Sequence, residues 1–217
     1  MENNIFIGIF NIFKSRGSDI LLAIGQHVQI TLTALFFSVL IAVPLGIFLT
    51  RHRKLADPVI GVTSVFQTIP SLALLGFMIP FLGIGRFPAI VALTIYGLLP
   101  ILRNTYTGVI GVNKAAVEAG VGMGMTSRQV LFMVEIPLAL SIIMAGIRTS
   151  TVLIVGVATI SAMIGAGGLG DLIFRGIATV NPELILAGAI PAATLALTFD
   201  FVLRKLEFSV TPKGLRK

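Results

Sequence analysis

The sequence predicts an all-α, polytopic membrane protein: a core of five spans with a pair of short helices across its cytoplasmic mouth. Three observations lead there. Of 217 residues, 56% are hydrophobic and only 12% charged, whereas a soluble globular domain carries about 25% charged residues; mean hydropathy is +1.02. Apolar runs recur at the ~20 residues a helix needs to cross a hydrocarbon core about 30 Å thick. They lack the period-2 alternation of a barrel strand, and lipid offers no partner to unpaired backbone groups, so the spanning structures are helices. The third observation is one polar, glycine-punctuated segment, EAGVGMGMTSRQVLFMVEIP, from Glu118 to Pro137.

Residues 1–19 carry a short apolar run, Ile5 to Phe13, with an acidic start, basic residues after it and no small-residue cleavage site. That pattern reads as an interfacial segment rather than a signal peptide. Residues 20–206 form the transmembrane domain, with spans at about 24–50, 58–83, 87–110, 138–164 and 184–204 and a polar loop at 112–136; residues 207–217 are a basic tail. No internal repeat or long linker divides the chain.

The basic residues set the orientation. With the N-terminus outside, Arg51, Arg53, Lys54, Lys114, Arg128, Arg204, Lys205, Lys213, Arg216 and Lys217 fall on the cytoplasmic side. Lys14, Arg16, Arg86 and Arg175 fall outside, and Lys14 and Arg16 beside the first span count against the arrangement. Ten against four favours it, because cytoplasmic loops collect Lys and Arg. The formal charge of +7 is scattered at span ends and forms no continuous basic face, so a nucleic-acid partner is not expected.

Inside the runs, Pro44, Pro70, Pro80, Pro100 and Pro191 each remove a helical hydrogen bond and kink the span. Span two has one polar side, with Thr63, Ser64, Gln67, Thr68 and Ser71 near helical spacing around Pro70. Two readings stand for these five residues: the lining of a translocation pathway, or hydrogen-bonding glue between helices. Arg148 lies 11 residues beyond Pro137, and an arginine at a helix centre costs about 2.5–3.5 kcal/mol on insertion scales. Either it snorkels or bonds carbonyls, the simpler reading, or it forms a buried ion pair with a carboxylate such as Asp200. Arg103, Asn104, Thr105 and Tyr106 read as an interfacial anchor.

The polar segment has its own local logic. Lys114 to Gly120 predicts a short helix ended by glycine, and Gly120, Gly122 and Gly124 permit a tight turn. Thr126 and Gln129 make a capping-box pattern that opens a second helix through Leu131, Phe132 and Val134; Pro137 then marks the start of span four. This stretch resembles the EAA loop of ABC importer permeases, in which E-A-A, three residues, a glycine and nine residues precede I-x-L-P. Here Glu118, Ala119, Gly120, Gly124, Val134, Ile136 and Pro137 keep every spacing, with glycine for the third-position alanine, valine for the first isoleucine and isoleucine for leucine.

The likeness extends from about residue 20 to 212. QTIPSLALLGFMIP, YGLLPILRNTYTGV, EIPLALSIIMAGIRTST, IGAGGLGD and the tail VTPKGLRK are similar to osmoprotectant permeases that carry glycine betaine, carnitine or choline. The resemblance implies the type I ABC importer permease fold, a cell-membrane location and a coupling helix that docks on a cytoplasmic ATPase. Ala115, Glu118, Ala119, Gly120, Gly124 and Pro137 would then carry coupling, with Glu118 most exposed to the partner.

It also implies a second permease subunit and an external substrate-binding protein. No G-x-x-x-x-G-K-[ST] occurs, so ATP and magnesium belong to a separate subunit and this chain needs no cofactor. There are no cysteines and two histidines, His27 and His52, which gives no reason to expect a metal site. With no Trp and two Tyr, a cation–π cage within this chain is improbable, and solute recognition falls to the binding protein.

Two signals are set aside. Gly165, Gly167 and Gly170 satisfy G-x-G-x-x-G, but no strand precedes them; they read as a helix end with close packing, and Asp171 as a cap for the next short helix. An intramembrane enzyme would need a nucleophile and base at depth, and His27 sits at the start of span one with no convergent acid pair. The alternatives that stay open are an ion-coupled secondary transporter, for which the spans offer only Asp200, and an ABC permease for another small solute such as an amino acid.

Overall fold

The structure is a computed structural model that describes residues 5–211; residues 1–4 and the tail from 212 to 217 lie outside it. Among the described residues there is no strand. A peripheral helix, α1 (Ile5–Ser15), leads into α2 (Gly17–Arg51), α3 (Arg53–Thr68), α4 (Ser71–Leu82) and α5 (Arg86–Ile110). Two short helices, α6 (Lys114–Gly122) and α7 (Ser127–Val130), continue through a π-helical segment, Leu131–Glu135, into α8 (Ile136–Ile160). A 3-10 turn, Ser161–Ile164, then α9 (Leu169–Ala178) and α10 (Pro182–Val210), complete the chain.

By length and apolar composition, α2, the Ser127–Ile164 helix, α5 and α10 are each able to cross a membrane, and α3 with α4, bent at a break, pass the same test when taken together as one span. The sequence places the first span from about residue 24, whereas α2 already begins at Gly17. His27 therefore lies within α2, 1% exposed, with its Nε2 3.2 Å from the Val155 carbonyl oxygen on α8.

Three helices, α2, α5 and α8, form the core, and small residues let their backbones close. Ala34 and Ala42 of α2, Ala89 and Ala92 of α5 and Ala158 of α8 are all buried. Ser38 of α2 donates to the Thr94 carbonyl of α5 at 3.0 Å, and Ser150 of α8 donates to the Gly97 carbonyl at 2.8 Å. A Cβ on Gly146 would stand 2.6 Å from the Asn104 Cβ and 2.8 Å from the Pro100 carbonyl oxygen, so only glycine lets α8 meet α5 there. Lipid tails are as apolar as leucine, so such packing and inter-helix hydrogen bonds hold spans together.

The second span departs from the expected kinked helix. Pro70 does not bend a continuous span: α3 ends at Thr68, α4 starts at Ser71, and the two meet at 98°. The residue before a proline is pushed out of the helical region, and Ile69 (φ −69°, ψ 128°) and Pro70 (φ −56°, ψ 135°) are both extended. Pro44, Pro80, Pro100 and Pro191 do lie inside helices.

At the glycine end of the bundle, Gly165, Gly167 and Gly168 all take positive φ. The Gly168 amide donates to Gln26 Oε1 on α2 at 2.9 Å, which pins this loop to the core. Asp171 is not the cap of α9; Gly168 holds that position without a side-chain bond, and Asp171 lies in the first turn. There its charge faces the positive end of the helix dipole.

Candidate functional site

The predicted loop folds as a helix pair at the end of the bundle where α2 and α5 terminate. Asn113 opens α6 by accepting the Ala115 amide at 2.9 Å. The helix does not stop at Gly120 as expected but runs to Gly122. Gly120 is a packing residue: it is buried, and a Cβ there would meet Met125 sulfur at 3.3 Å and Val134 Cγ2 at 3.5 Å. The turn belongs to Gly124, the one glycine of the three with positive φ (82°).

The capping box forms, with the Thr126 amide donating to Gln129 Oε1 at 2.8 Å and the Gln129 amide to Thr126 Oγ1 at 3.4 Å. The second helix is not a separate element ending at Pro137. It continues from Ser127 through the π-helical segment to Ile164, 38 residues, and Pro137 sits in the first turn of α8, directly after the π turn. Ala115, Glu118, Ala119 and Gly124 are exposed, and Pro137 is half-buried.

Sequence reasoning missed the apolar side chains around them. Val121 is 58% exposed, Met123 72%, Phe132 65% and Met133 63%. It also missed Glu135, which is buried and forms an ion pair with Arg51 at the end of α2. The available signal was a lone carboxylate directly before an apolar span, which has to find a partner.

The five polar residues of span two do not share one helix. Thr63, Ser64, Gln67 and Thr68 lie on α3 and Ser71 on α4. Thr63 and Ser64 bond the Ile60 carbonyl and Thr68 the Val65 carbonyl, all within α3. Gln67 reaches another helix: its Nε2 donates to the Tyr96 carbonyl at 3.1 Å, while the Tyr96 hydroxyl donates to the Ile69 carbonyl. These two bonds tie the break in the span to α5 and satisfy a carbonyl that a continuous helix would have used.

Arg148 and Asp200 are brought together. The guanidinium grips Asp200 with Nε at 2.9 Å and Nη2 at 3.2 Å, and Nη1 reaches Glu207 at 3.0 Å. Its plane thus clamps α8 to two turns of α10, the bidentate use for which arginine is suited. An open cavity of about 460 Å³ lies beside the pair, lined by Ala145, Arg148, Thr149, Val152 and Asp200. Arg103 and Thr107 are exposed on the end of α5, and Asn104 bonds the Pro100 carbonyl at 2.8 Å. Among the described residues no group of three or more His, Cys, Asp or Glu is placed to hold a metal ion.

Comparison with known proteins places this geometry. Residues 42–212 match the family described as binding-protein-dependent transport system inner membrane component. The chain is 54% identical to a carnitine transport permease protein of Listeria monocytogenes, covering 96% of each. It is 53% identical to a glycine betaine/carnitine/choline transport system permease protein of Bacillus subtilis (strain 168), covering 94% of each. Among solved structures, a chain of the MetNI methionine ABC transporter, inward facing, is similar with a TM-score of 0.82 and 25% identity, over 91% of this chain and 99% of that one.

Proposed function

The chain belongs to the family of binding-protein-dependent transport system inner membrane components, and from that premise we propose that it forms the solute path for osmoprotectants such as glycine betaine, carnitine or choline. It is the permease subunit of an ABC importer, a multi-pass protein of the cell membrane, and not itself an enzyme. The family works with a separate ATPase, a second permease subunit and a substrate-binding protein. That dependence on a binding protein replaces the ion-coupled alternative.

The observation that carries the substrate class is end-to-end identity above half to permeases named for carnitine and for glycine betaine, carnitine and choline. All three solutes share a quaternary ammonium, and with no Trp in this chain the discriminating cage falls to the binding protein. ATP and magnesium are bound by the ATPase. The α6–α7 pair is its docking surface, through Ala115, Glu118, Ala119 and Gly124, with buried Gly120 setting the helix packing and Pro137 starting the span behind it. The ten-to-four distribution of basic residues supports an outside N-terminus and a cytoplasmic C-terminus.

Reconstitution in proteoliposomes with the ATPase, the second permease and the binding protein tests the reading. ATP-dependent uptake of labelled betaine, carnitine or choline is expected; uptake of none of them would sink the substrate class. Glu118→Arg should release the ATPase in a pull-down, and full retention after disruption of residues 114–126 would overturn the docking surface.

A further inference from the structure

Below α6 a cavity of about 180 Å³ opens between the ends of α2 and α5, lined by Thr50, Arg51, Lys114, Val117, Glu118 and Glu135 among others. At its base the Glu135 carboxylate, in a residue 8% exposed, meets Arg51. Nη1 donates to Oε1 at 3.4 Å and Nη2 to Oε2, a fork-to-fork pair between residues 84 apart in sequence. A carboxylate this buried depends on its partner, since removing one member leaves an uncompensated charge.

The backbone is shaped to make the pair. Glu135 closes the π-helical segment Leu131–Glu135, where the Ile136 amide bonds back to the Leu131 carbonyl. A π turn is one residue wider than an α turn, and such turns recur at functional sites. An unbroken α-helix there would hold one residue fewer, turning α6–α7 by about 100° relative to α8. With the wider turn in place, Glu135 faces Arg51.

The path beyond the pair is short. Arg51 is the last residue of α2, and His52 alone separates it from α3, the first arm of the bent span. The helix pair is joined covalently to α5 through 111–113 and to α8 through the π segment. The π segment, through which the helix pair continues into α8, is held to the end of α2 by this ion pair. We propose that Arg51 and Glu135 are positioning residues that hand a displacement of the α6–α7 pair to α2 and, through His52, to the bent α3–α4 span. This rests on the importer reading, since it needs an ATPase to displace the helix pair.

The test uses the complete transporter in proteoliposomes, with uptake and ATP hydrolysis measured in the same vesicles. In Glu135→Gln and Arg51→Gln the ATPase stays bound, and solute moved per ATP falls about tenfold, inside the usual range of coupling between sites. The swap Arg51→Glu with Glu135→Arg recovers a substantial part of that ratio. An unchanged ratio in both single variants, or a swap no better than either, overturns the proposal. So does loss of assembly in both, because that is the signature of a purely structural pair. Failure of the importer reading is separately visible, as absence of ATP-dependent uptake by the unaltered chain.

Discussion

The α2–α5–α8 core and the bent α3–α4 pair are both rich in apolar residues, yet they are held in opposite ways. In the core, glycines sit where another helix arrives: Gly146 against Pro100 and Asn104, Gly108 with a prospective Cβ 3.1 Å from Ile142 Cβ. Hydroxyls there cross between helices, as Ser38 and Ser150 do. In the bent pair, Gly61 and Gly76 face open space, and the hydroxyls of Thr63, Ser64 and Thr68 turn back on their own helix. Hydrophobicity therefore selects the bilayer, while backbone closeness and cross-helix bonds decide which spans move as one body.

The contrast is broken most strongly at the α5–α8 seam. Gly146→Val should destabilise the purified chain by about 3 kcal/mol, since the Pro100 carbonyl cannot retreat and overpacking a tight site carries that order of penalty. Thermal unfolding in detergent reads it; a melting temperature equal to that of the unaltered protein would mean the seam is looser than drawn. Arg148→Met, which strips two carboxylates of their guanidinium, should cost about 2 kcal/mol, between the values for exposed and buried pairs because the site is partly open. Arg148→Lys should recover little of this by chemical denaturation, since an ammonium cannot bridge Asp200 and Glu207 as a planar fork does.

The smaller effects probe the bent span. Tyr96→Phe removes the bond to the Ile69 carbonyl and should cost about 1 kcal/mol, visible as faster hydrogen exchange around residues 67–71 while the core stays protected. If exchange rose across α2 and α8 as well, the break would belong to the core. Gly76→Ala is expected to be neutral or to stabilise by up to about 1 kcal/mol, as alanine does in a helix with free space beside it. Measured destabilisation would show that the face of α4 is closely covered in the assembled transporter.

Much of this was legible in the sequence, and the exceptions have physical causes. Apolar run lengths pointed to the long helices, because hydrocarbon thickness fixes the length, although α2 begins at Gly17 and the second run is broken at Pro70. The Thr126–Gln129 capping box was legible because its bonds close within four residues. Pro70 was visible, but whether a proline kinks a span or ends it depends on whether the carbonyls exposed by a break find partners. Here the Ile69 carbonyl is taken up by Tyr96, 27 residues away. Glycine periodicity suggested that Gly120, Gly122 and Gly124 shared one task, whereas Gly120 packs and Gly124 turns. Glu135 stands between the motif residues Val134 and Ile136; its partner Arg51 lies across the fold, 84 residues away, and no local spacing names that partner.

From Ser127 to Ile164 one helical rod, widened by its π turn, leads from the helix pair through the bundle. At 1.5 Å per residue, its 38 residues make a lever roughly 57 Å long. A tilt of the α2–α5–α8 body by about 10° about the end that carries α7 would sweep the Gly165 end through about 10 Å. The capping box closes one tip, and beyond the other the Gly168 amide is held by Gln26 of α2, so the far loop travels with the core.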